Sequence, residues 1–176
     1  IINMLLTGFE IHGSYSLLGF AKAVSYHSFA AWSLIGLWIF AIFWHLTTGE
    51  WRHYIPTTEK VLVVAQYYSS GIFRREPHPF KPSSLNKHNP LQRLTYLGIL
   101  LFVSPLIWIT GWLYLFHGNW AAWGLTSLRL EWVAVGHTIG AFFMLAFLIS
   151  HLYLVTTGHS LTAHLKAMIT GWEEID

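Results

Sequence analysis

Histidine is the residue type in this chain with the most to offer chemically. The 176 residues include eleven histidines and no cysteine. Without cysteine the chain has no thiolate ligands for an iron–sulfur cluster, no covalent attachment point for a c-type haem, and no disulfide bonds. Imidazole is therefore the best ligand available for a transition metal or a haem iron. What the histidines do depends on where they lie in the apolar segments.

Two histidines, His137 and His151, lie fourteen residues apart within one long apolar stretch, residues 130–157. In an α-helix this separation is a rotation of about 1400°, roughly 40° short of four turns, and a rise of about 21 Å. Both side chains then leave one face of the helix, near opposite membrane surfaces. This spacing suits two stacked b-type haems, each held between imidazoles of facing helices. The alternative is two interior histidines hydrogen-bonded to neighbouring helices, and we favour haem ligation.

A second apolar stretch, residues 25–47, carries His27 near its start and His45 near its end. His27 follows its helix start by a few residues, as His137 does, so these two are the predicted ligands of an outer haem. A histidine facing the surface at a helix end is the alternative for His27. His45 lies about 6 Å deeper than a fourteen-residue spacing would place it. It could ligate an inner haem opposite His151, but contact with a haem propionate or a quinone head group is favoured.

The elements that must position these histidines are membrane helices. The chain is 54% hydrophobic and 10% charged, whereas soluble domains carry about 25% charged residues. Residues 25–47, 91–116 and 130–157 are each long enough to span a bilayer, which takes roughly 20 apolar residues. Residues 1–9 are predicted to be the remnant of a further helix whose start lies before the sequence. We expect an all-α fold, a four-helix transmembrane bundle forming a single cytochrome b domain over residues 1–176.

The remaining segments are predicted to be short and interfacial. The polar connection, residues 49–90, contains helical spacing of apolar residues over 57–73, after a candidate cap at Thr57 or Thr58. It is predicted to lie on the membrane surface, and residues 160–170 resemble it. Pro105 is predicted to kink the third stretch. We find no internal repeat.

Charge predicts the orientation. Eight cationic residues lie in the 49–93 region and after the last stretch: Arg52, Lys60, Arg74, Arg75, Lys81, Lys87, Arg93 and Lys166. Only Lys22 and Arg129 lie on the opposite side. By the positive-inside rule, the 49–90 connection and the C-terminus are cytoplasmic in a multi-pass protein of the cell inner (cytoplasmic) membrane. A net charge of +2 gives no reason to expect nucleic acid as a partner.

Polar groups gather where the third apolar stretch enters the membrane. Asn89, Gln92 and Arg93 lie there, on the same side of the membrane as His45. A quinone needs a hydrogen-bond donor for each carbonyl and an apolar slot for its ring and tail. The imidazole of His45 would also be a proton source. These four residues are the predicted site for an exchangeable quinone. The alternative is that they only solvate helix ends.

Several of these residues carry a family resemblance that covers almost the whole chain. They are residues 7–9 closing the first helix, His27 opening the second, His137 with His151 on the last, and the closing run 167–174. With them the chain resembles the di-haem cytochrome b subunits that anchor respiratory hydrogenases, formate dehydrogenases and thiosulfate reductases. The resemblance implies that His27 and His137 hold the outer haem b and His151 the inner one. The family's fourth ligand lies on the first helix and has no match here, because the chain starts too late.

The resemblance also implies a function. Such a subunit passes electrons across the bilayer, through two b-type haems, between the quinone pool and an extracytoplasmic redox partner. That partner would be a multihaem cytochrome, an iron–sulfur enzyme, or a molybdenum or nickel enzyme. One alternative is a stand-alone b-haem quinone reductase fed by superoxide or ascorbate. The other is a non-haem membrane scaffold or transporter with histidines in a proton path.

Overall fold

The computed structural model of the protein describes residues 1–74, 76–81, 83, 87–156 and 162–172. Every regular element in these ranges is helical, which confirms the all-α prediction. The α-helices are α1 (Ile2–Ile11), α2 (Phe20–Thr48), α3 (Val61–Gln66), α4 (Pro90–Gly98), α5 (Ser104–Leu115), α6 (Leu130–Val155) and α7 (Ala163–Thr170). The chain divides into two compact units, Ile1–Arg52 and His53–Asp176. The prediction of a single domain over the whole chain stays a prediction.

Three continuous helical segments are long and apolar enough to cross a membrane: Phe20–Thr48, Pro90–Leu115 and Leu130–Val155. The shorter apolar helix α1 accompanies them. The described residues of these spans bury few side chains within the protein, and many large apolar side chains stay exposed. Such surfaces are stable in lipid and unstable in water. The protein is therefore a helical membrane protein, as the sequence predicts.

In the first unit, α1 packs against α2, and a short turn connects the two helices. Glu10, at the end of α1, accepts hydrogen bonds on Oε1 from the backbone amides of Leu17, Leu18 and Gly19, at 2.8, 2.6 and 2.8 Å. These amides lie in the turn just before α2, and the carboxylate gives each of them a hydrogen-bond partner. Gly19 begins the helix with a φ of 84°, a conformation that side chains disfavour. The carboxylate thus fixes how α2 follows α1.

In the second unit, the span Pro90–Leu115 is not a uniform α-helix. The amide of Ser104 bonds to the carbonyl of Ile99, five residues back, so residues Ile99–Val103 form a π turn between α4 and α5. Pro105 has no amide hydrogen for the carbonyl four residues before it. A wider turn just before proline accommodates the missing bond. The irregularity predicted at Pro105 therefore takes the form of a π turn.

Helix α6 packs closely on α5 through two glycines. A Cβ on Gly136 would lie 3.3 Å from Cγ2 of Thr110, and a Cβ on Gly140 would lie 2.5 Å from Cγ1 of Ile107. Both glycines face the neighbouring helix, four residues apart, which is the small-residue pattern of close packing in membranes. This contact holds α5 and α6 together along the stretch that contains His137.

Helical turns cover Val61–Arg74 of the polar connection, close to the predicted 57–73, but only part of this segment is α-helix. Helix α3 covers only Val61–Gln66 and follows Lys60, which has a φ of 59° and no side-chain cap bond. The prediction of a cap at Thr57 or Thr58 is therefore wrong. Residues Tyr67–Gly71 continue as a π turn and Ile72–Arg74 as a 3-10 turn. Val64 of α3 is fully buried, so this face lies against protein.

Helix boundaries differ from the predictions by a few residues. α2 begins five residues earlier than predicted and ends one residue later, while α4 and α5 together span Pro90–Leu115 instead of 91–116. α6 ends at Val155, and residue 157, the predicted end, lies outside the described residues. In the predicted 160–170 helix, α7 covers Ala163–Thr170, and residues 160 and 161 are likewise outside the described part.

The α5–α6 contact generates a prediction at Gly140. An alanine there would place a methyl group 2.5 Å from Ile107, so the helices must separate or Ile107 must shift. We expect Gly140→Ala to lower the free energy of unfolding by about 1–3 kcal/mol, the usual cost of overpacking. Thermal or denaturant unfolding in detergent measures it. The matched control is Gly98→Ala in α4, where a Cβ meets nothing within 4 Å. Equal stability of the two variants would contradict the packing role.

Candidate functional site

His27 lies in α2, eight positions into the helix, half-buried and bonded to Thr7 of α1. Nδ1 of His27 is 2.9 Å from Oγ1 of Thr7. Thr7 is buried, and its hydroxyl also donates to the carbonyl of Asn3, at 2.7 Å, one turn back along α1. The pair therefore joins the two helices of the first unit at the level of the histidine.

These bonds determine the protonation of the His27 ring. A threonine hydroxyl has one hydrogen, and Thr7 directs it to the backbone carbonyl of Asn3. Its oxygen is then left to accept a hydrogen bond, so Nδ1 of His27 is the donor. A neutral ring protonated on Nδ1 carries its lone pair on Nε2. Nε2 is then the atom of His27 that can ligate a metal.

His137 has the same arrangement in the second unit. It is also eight positions into its helix, α6, and Nδ1 lies 3.0 Å from Oγ1 of Thr110 in α5. The Thr110 hydroxyl donates to the carbonyl of Leu106 at 2.5 Å. Nδ1 of His137 is also 3.1 Å from the carbonyl oxygen of Ile107, which only accepts. Nδ1 is therefore the donor, and the lone pair of His137 is on Nε2.

A glycine follows each threonine and lies against the histidine ring. A Cβ on Gly8 would be 3.5 Å from Cε1 of His27, and a Cβ on Gly111 would be 3.3 Å from Cε1 of His137. The absence of a side chain lets each imidazole lie close to the backbone of the neighbouring helix. Gly36, in the middle of α2, has open space where its Cβ would be.

These features test whether the residues fit a haem. A haem iron with two imidazoles needs one nitrogen lone pair from each, with the other ring nitrogen fixed by a second hydrogen bond. His27 and His137 meet both conditions. Among the described residues, no three histidine, aspartate or glutamate side chains gather as they would for a bare metal ion. Each of these two histidines, taken by itself, has the bonding that a ligand of haem iron needs.

His151 lies on α6, one uninterrupted α-helix that also carries His137, so the predicted fourteen-residue spacing is helical throughout. Its ring stacks on Phe147 at 5.6 Å between centroids and an interplanar angle of 25°. Phe147 in turn contacts Tyr96 of α4 edge-on, at 6.3 Å. His151 is half-buried in aromatic surroundings. Its role as a haem ligand stays a prediction.

His45 bonds within its own helix. Its Nδ1 lies 2.6 Å from the carbonyl oxygen of Ala41, so Nδ1 donates and Nε2 carries the lone pair here too. His45 lines an open apolar hollow on α2 together with Phe40, Ala41 and Trp44. This arrangement gives an imidazole beside an apolar surface, which is compatible with either of its predicted roles.

The other three predicted quinone residues hold the start of α4. Asn89 is its N-cap: Oδ1 of Asn89 accepts from the amide of Gln92 at 2.8 Å, and Oε1 of Gln92 accepts from the amide of Asn89 at 3.0 Å. Arg93 donates to the carbonyl oxygens of His88 and Ile55, at 3.0 and 3.3 Å. The structure thus brings these three together, with much of their hydrogen-bonding capacity used on the backbone.

A polar cluster beside this cap was not predicted. The hydroxyl of Tyr68 accepts a hydrogen bond from Nδ2 of Asn89 at 3.2 Å and lies 3.1 Å from Nε2 of His78. Burial raises the pKa of Tyr68. The cluster ties the segment after α3 to the start of α4. Its members are far apart in sequence, so their positions along the chain give no signal of the contact.

Thr110 and Gly111 were also missed by the sequence analysis. The threonine–glycine pairs at residues 7–8 and 110–111 each precede a helix with a histidine at its eighth position, but the same dipeptide also stands at 48–49, 157–158 and 170–171. Two residues are too short a match to reveal a repeat by eye. Only the hydrogen bonds show that the threonine of each pair contacts a histidine on the neighbouring helix.

Comparison with known proteins identifies the family of this chain. The sequence profile of the family described as "Prokaryotic cytochrome b561" matches residues 1–171. The Escherichia coli (strain K12) protein named "Putative cytochrome YdhU" is 29% identical over 153 residues, which cover 85% of this chain and 58% of that protein. The chain thus spans less than two thirds of that relative's length. No solved structure matches this chain. The chain belongs to the prokaryotic cytochrome b561 family, which implies a membrane cytochrome with haem b as cofactor and electron transfer as function.

Proposed function

We propose that the protein is the membrane-anchoring cytochrome b subunit of a quinone-linked oxidoreductase complex. In this proposal it passes electrons across the bilayer, through two b-type haems, between the quinone pool and an extracytoplasmic redox partner. The observation that carries the proposal is the matched bonding of His27 and His137, each with a threonine oxygen on Nδ1. Both rings therefore present the lone pair that a haem iron needs.

The proposed ligands follow the sequence analysis. His27 and His137 would hold the outer haem and His151 would be a ligand of the inner one. When bound, haem supplies an iron that takes up and releases one electron. The chain's own residues orient the imidazoles, exclude water with their apolar helices and keep the ligands in a low-dielectric environment. These factors tune the potential of a bis-histidine iron.

The partner and the orientation remain part of the proposal. An extracytoplasmic multihaem, iron–sulfur, molybdenum or nickel enzyme would exchange electrons on the outer side. The 49–90 connection and the C-terminus would lie in the cytoplasm, as the distribution of lysine and arginine indicates. The subunit would lie in the inner membrane. The chain itself would carry out electron transfer, and the partner would carry out the terminal chemistry.

Membership in a cytochrome family argues against the non-haem scaffold or transporter. The stand-alone quinone reductase remains the competing function, since it would use the same haems. Native mass of the purified protein separates the two: a large partner that copurifies supports the subunit, and a cytochrome purified alone and active with superoxide or ascorbate supports the reductase.

A quinone site is proposed near His45, Asn89, Gln92 and Arg93. His45 supports it, because an imidazole beside the apolar hollow on α2 offers a hydrogen-bonding group next to a surface for a ring. Asn89, Gln92 and Arg93 support it less, since they also bond to the backbone at the start of α4. Their side chains would have to share those bonds with a quinone carbonyl.

The number of haems is the first prediction of this proposal. We expect about two haems b per full-length chain, because His137 and His151 lie at two depths of the membrane and each would ligate a separate haem. Pyridine haemochrome quantitation against protein concentration measures it. A value near zero contradicts the whole proposal, and a value near one contradicts the presence of the inner haem.

Pairing of the outer ligands is the second prediction. His27→Ala and His137→Ala should each remove the same spectral component, because a bis-histidine haem is lost with either ligand. The double variant should lose no more than either single variant. Low-temperature reduced-minus-oxidised spectra resolve the components. His12→Ala, in the exposed turn after α1, is the control and should leave both components intact. Loss of different components in the two single variants disproves the pairing.

The quinone proposal predicts a kinetic effect at His45. His45→Gln removes the titratable ring, so quinol should reduce the haems about tenfold more slowly or worse. Both haem spectra should stay intact, which separates a quinone role from iron ligation. Stopped-flow reduction with a quinol analogue measures the rate, and His12→Gln is the matched control. An unchanged rate places the quinone elsewhere, and loss of a haem component makes His45 a ligand.

A further inference from the structure

We propose that Thr7 and Thr110 are equivalent positioning residues, each accepting a hydrogen bond from Nδ1 of one histidine that would ligate the same haem, and so orienting its ring. The inference rests on the proposed function, in which His27 and His137 are the ligands of that haem. It adds that the two ligands are controlled by two copies of one local arrangement. One copy lies in each compact unit of the chain.

The two copies agree in the hydrogen bonds of the threonine, and they differ in that Nδ1 of His137 also lies 3.1 Å from the carbonyl oxygen of Ile107. The distance from Oγ1 to Nδ1 is 2.9 Å for Thr7 and His27 and 3.0 Å for Thr110 and His137. Each hydroxyl donates to the carbonyl four residues earlier, at 2.7 and 2.5 Å. Both threonines are buried, at 2% and 8% exposure. A buried hydroxyl with these two bonds has its hydrogen committed to the backbone, so its oxygen only accepts from the ring.

The surroundings of the threonines also agree. The glycine after each threonine would place a Cβ 3.5 or 3.3 Å from Cε1 of the histidine, so each ring lies against its helix in the same way. Each histidine is the eighth residue of its helix. The separation from threonine to histidine differs, twenty residues in one copy and twenty-seven in the other. The connections between threonine and histidine therefore differ in length, whereas the hydrogen bond between the two side chains has nearly the same length in both copies.

A hydrogen bond accepted from Nδ1–H has a defined effect on a ligating imidazole. It increases the electron density of the ring and makes Nε2 a stronger donor to iron, which favours the ferric state. It also restricts rotation of the ring. Removal of the threonine oxygen should therefore raise the reduction potential of the haem that the histidine ligates, and broaden or shift its ferric low-spin EPR signal.

Valine substitution tests this inference on the full-length purified protein. Valine has nearly the shape of threonine and lacks the hydroxyl. We expect Thr7→Val and Thr110→Val each to raise the midpoint potential of one haem component, the one lost in His27→Ala and His137→Ala. The shift should be smaller for Thr110→Val, because the carbonyl of Ile107 still accepts from Nδ1 of His137. The double variant should shift it further than either single variant, while the other component keeps its potential. Redox titration followed in the visible spectrum, with EPR of the oxidised protein, provides the measurements.

Two threonines serve as matched controls. Thr47 in α2 and Thr95 in α4 donate to the carbonyls of Phe43 and Leu91, both at 2.8 Å. Thr47→Val and Thr95→Val therefore remove the same kind of backbone bond away from both histidines. Neither should change a potential. Thr7→Ser and Thr110→Ser keep the hydroxyl and should keep the wild-type potential, even if a valine variant binds haem too weakly to be titrated.

The outcomes separate this inference from the proposed function. If the wild-type chain binds no haem, the proposed function fails. If it binds haem and the valine variants titrate like the controls, only the positioning role fails. Shifts of different components by Thr7→Val and Thr110→Val overturn the assignment to one haem. A serine variant that shifts as much as its valine counterpart shows that the methyl contacts matter and the hydroxyl does not, which also overturns the inference.

Discussion

Polar groups in the membrane helices of this protein must find their partners within the protein, because lipid offers none. Several hydroxyl-bearing side chains of the described residues meet this constraint in the same way. Their hydroxyls donate to a carbonyl three or four residues earlier in the same helix, as Ser33, Thr47, Thr95 and Thr156 do. His45 does the same with Nδ1. Each such bond satisfies a side chain at little cost to the helix.

Thr7 and Thr110 follow the same rule and gain a second property from it. Once the hydroxyl hydrogen is used on the backbone, the oxygen can only accept, and in both cases the donor is a histidine on the adjacent helix. In other threonines this backbone bond only satisfies the hydroxyl. Here it leaves the threonine oxygen to accept from Nδ1 of the histidine, so the lone pair of the ring is on Nε2. The chemistry of the site depends on this small difference in surroundings.

Close packing is the second requirement of the site. Gly136 and Gly140 bring α6 against α5, which places Thr110 within hydrogen-bond distance of His137. In the first unit, Glu10 holds the turn before α2 through three backbone amides. Glycine and glutamate therefore serve the histidines indirectly, by fixing the helices that carry the hydrogen-bonding partners. Asn89 and Gln92 act similarly at the start of α4, where they cap the helix.

The sequence by itself determined the helices and the candidate ligands. Apolar length fixed the three spans to within a few residues, because a bilayer requires a minimum length of uninterrupted apolar helix. The period of the helix placed His137 and His151 on one face. Only the tertiary structure showed which nitrogen of His27 and His137 is protonated, since that depends on Thr7 and Thr110, twenty or more residues away. It also showed that α3 is short and that Asn89 and Gln92 bond to each other. Such contacts arise from the approach of separate segments, which local spacing along a chain does not encode.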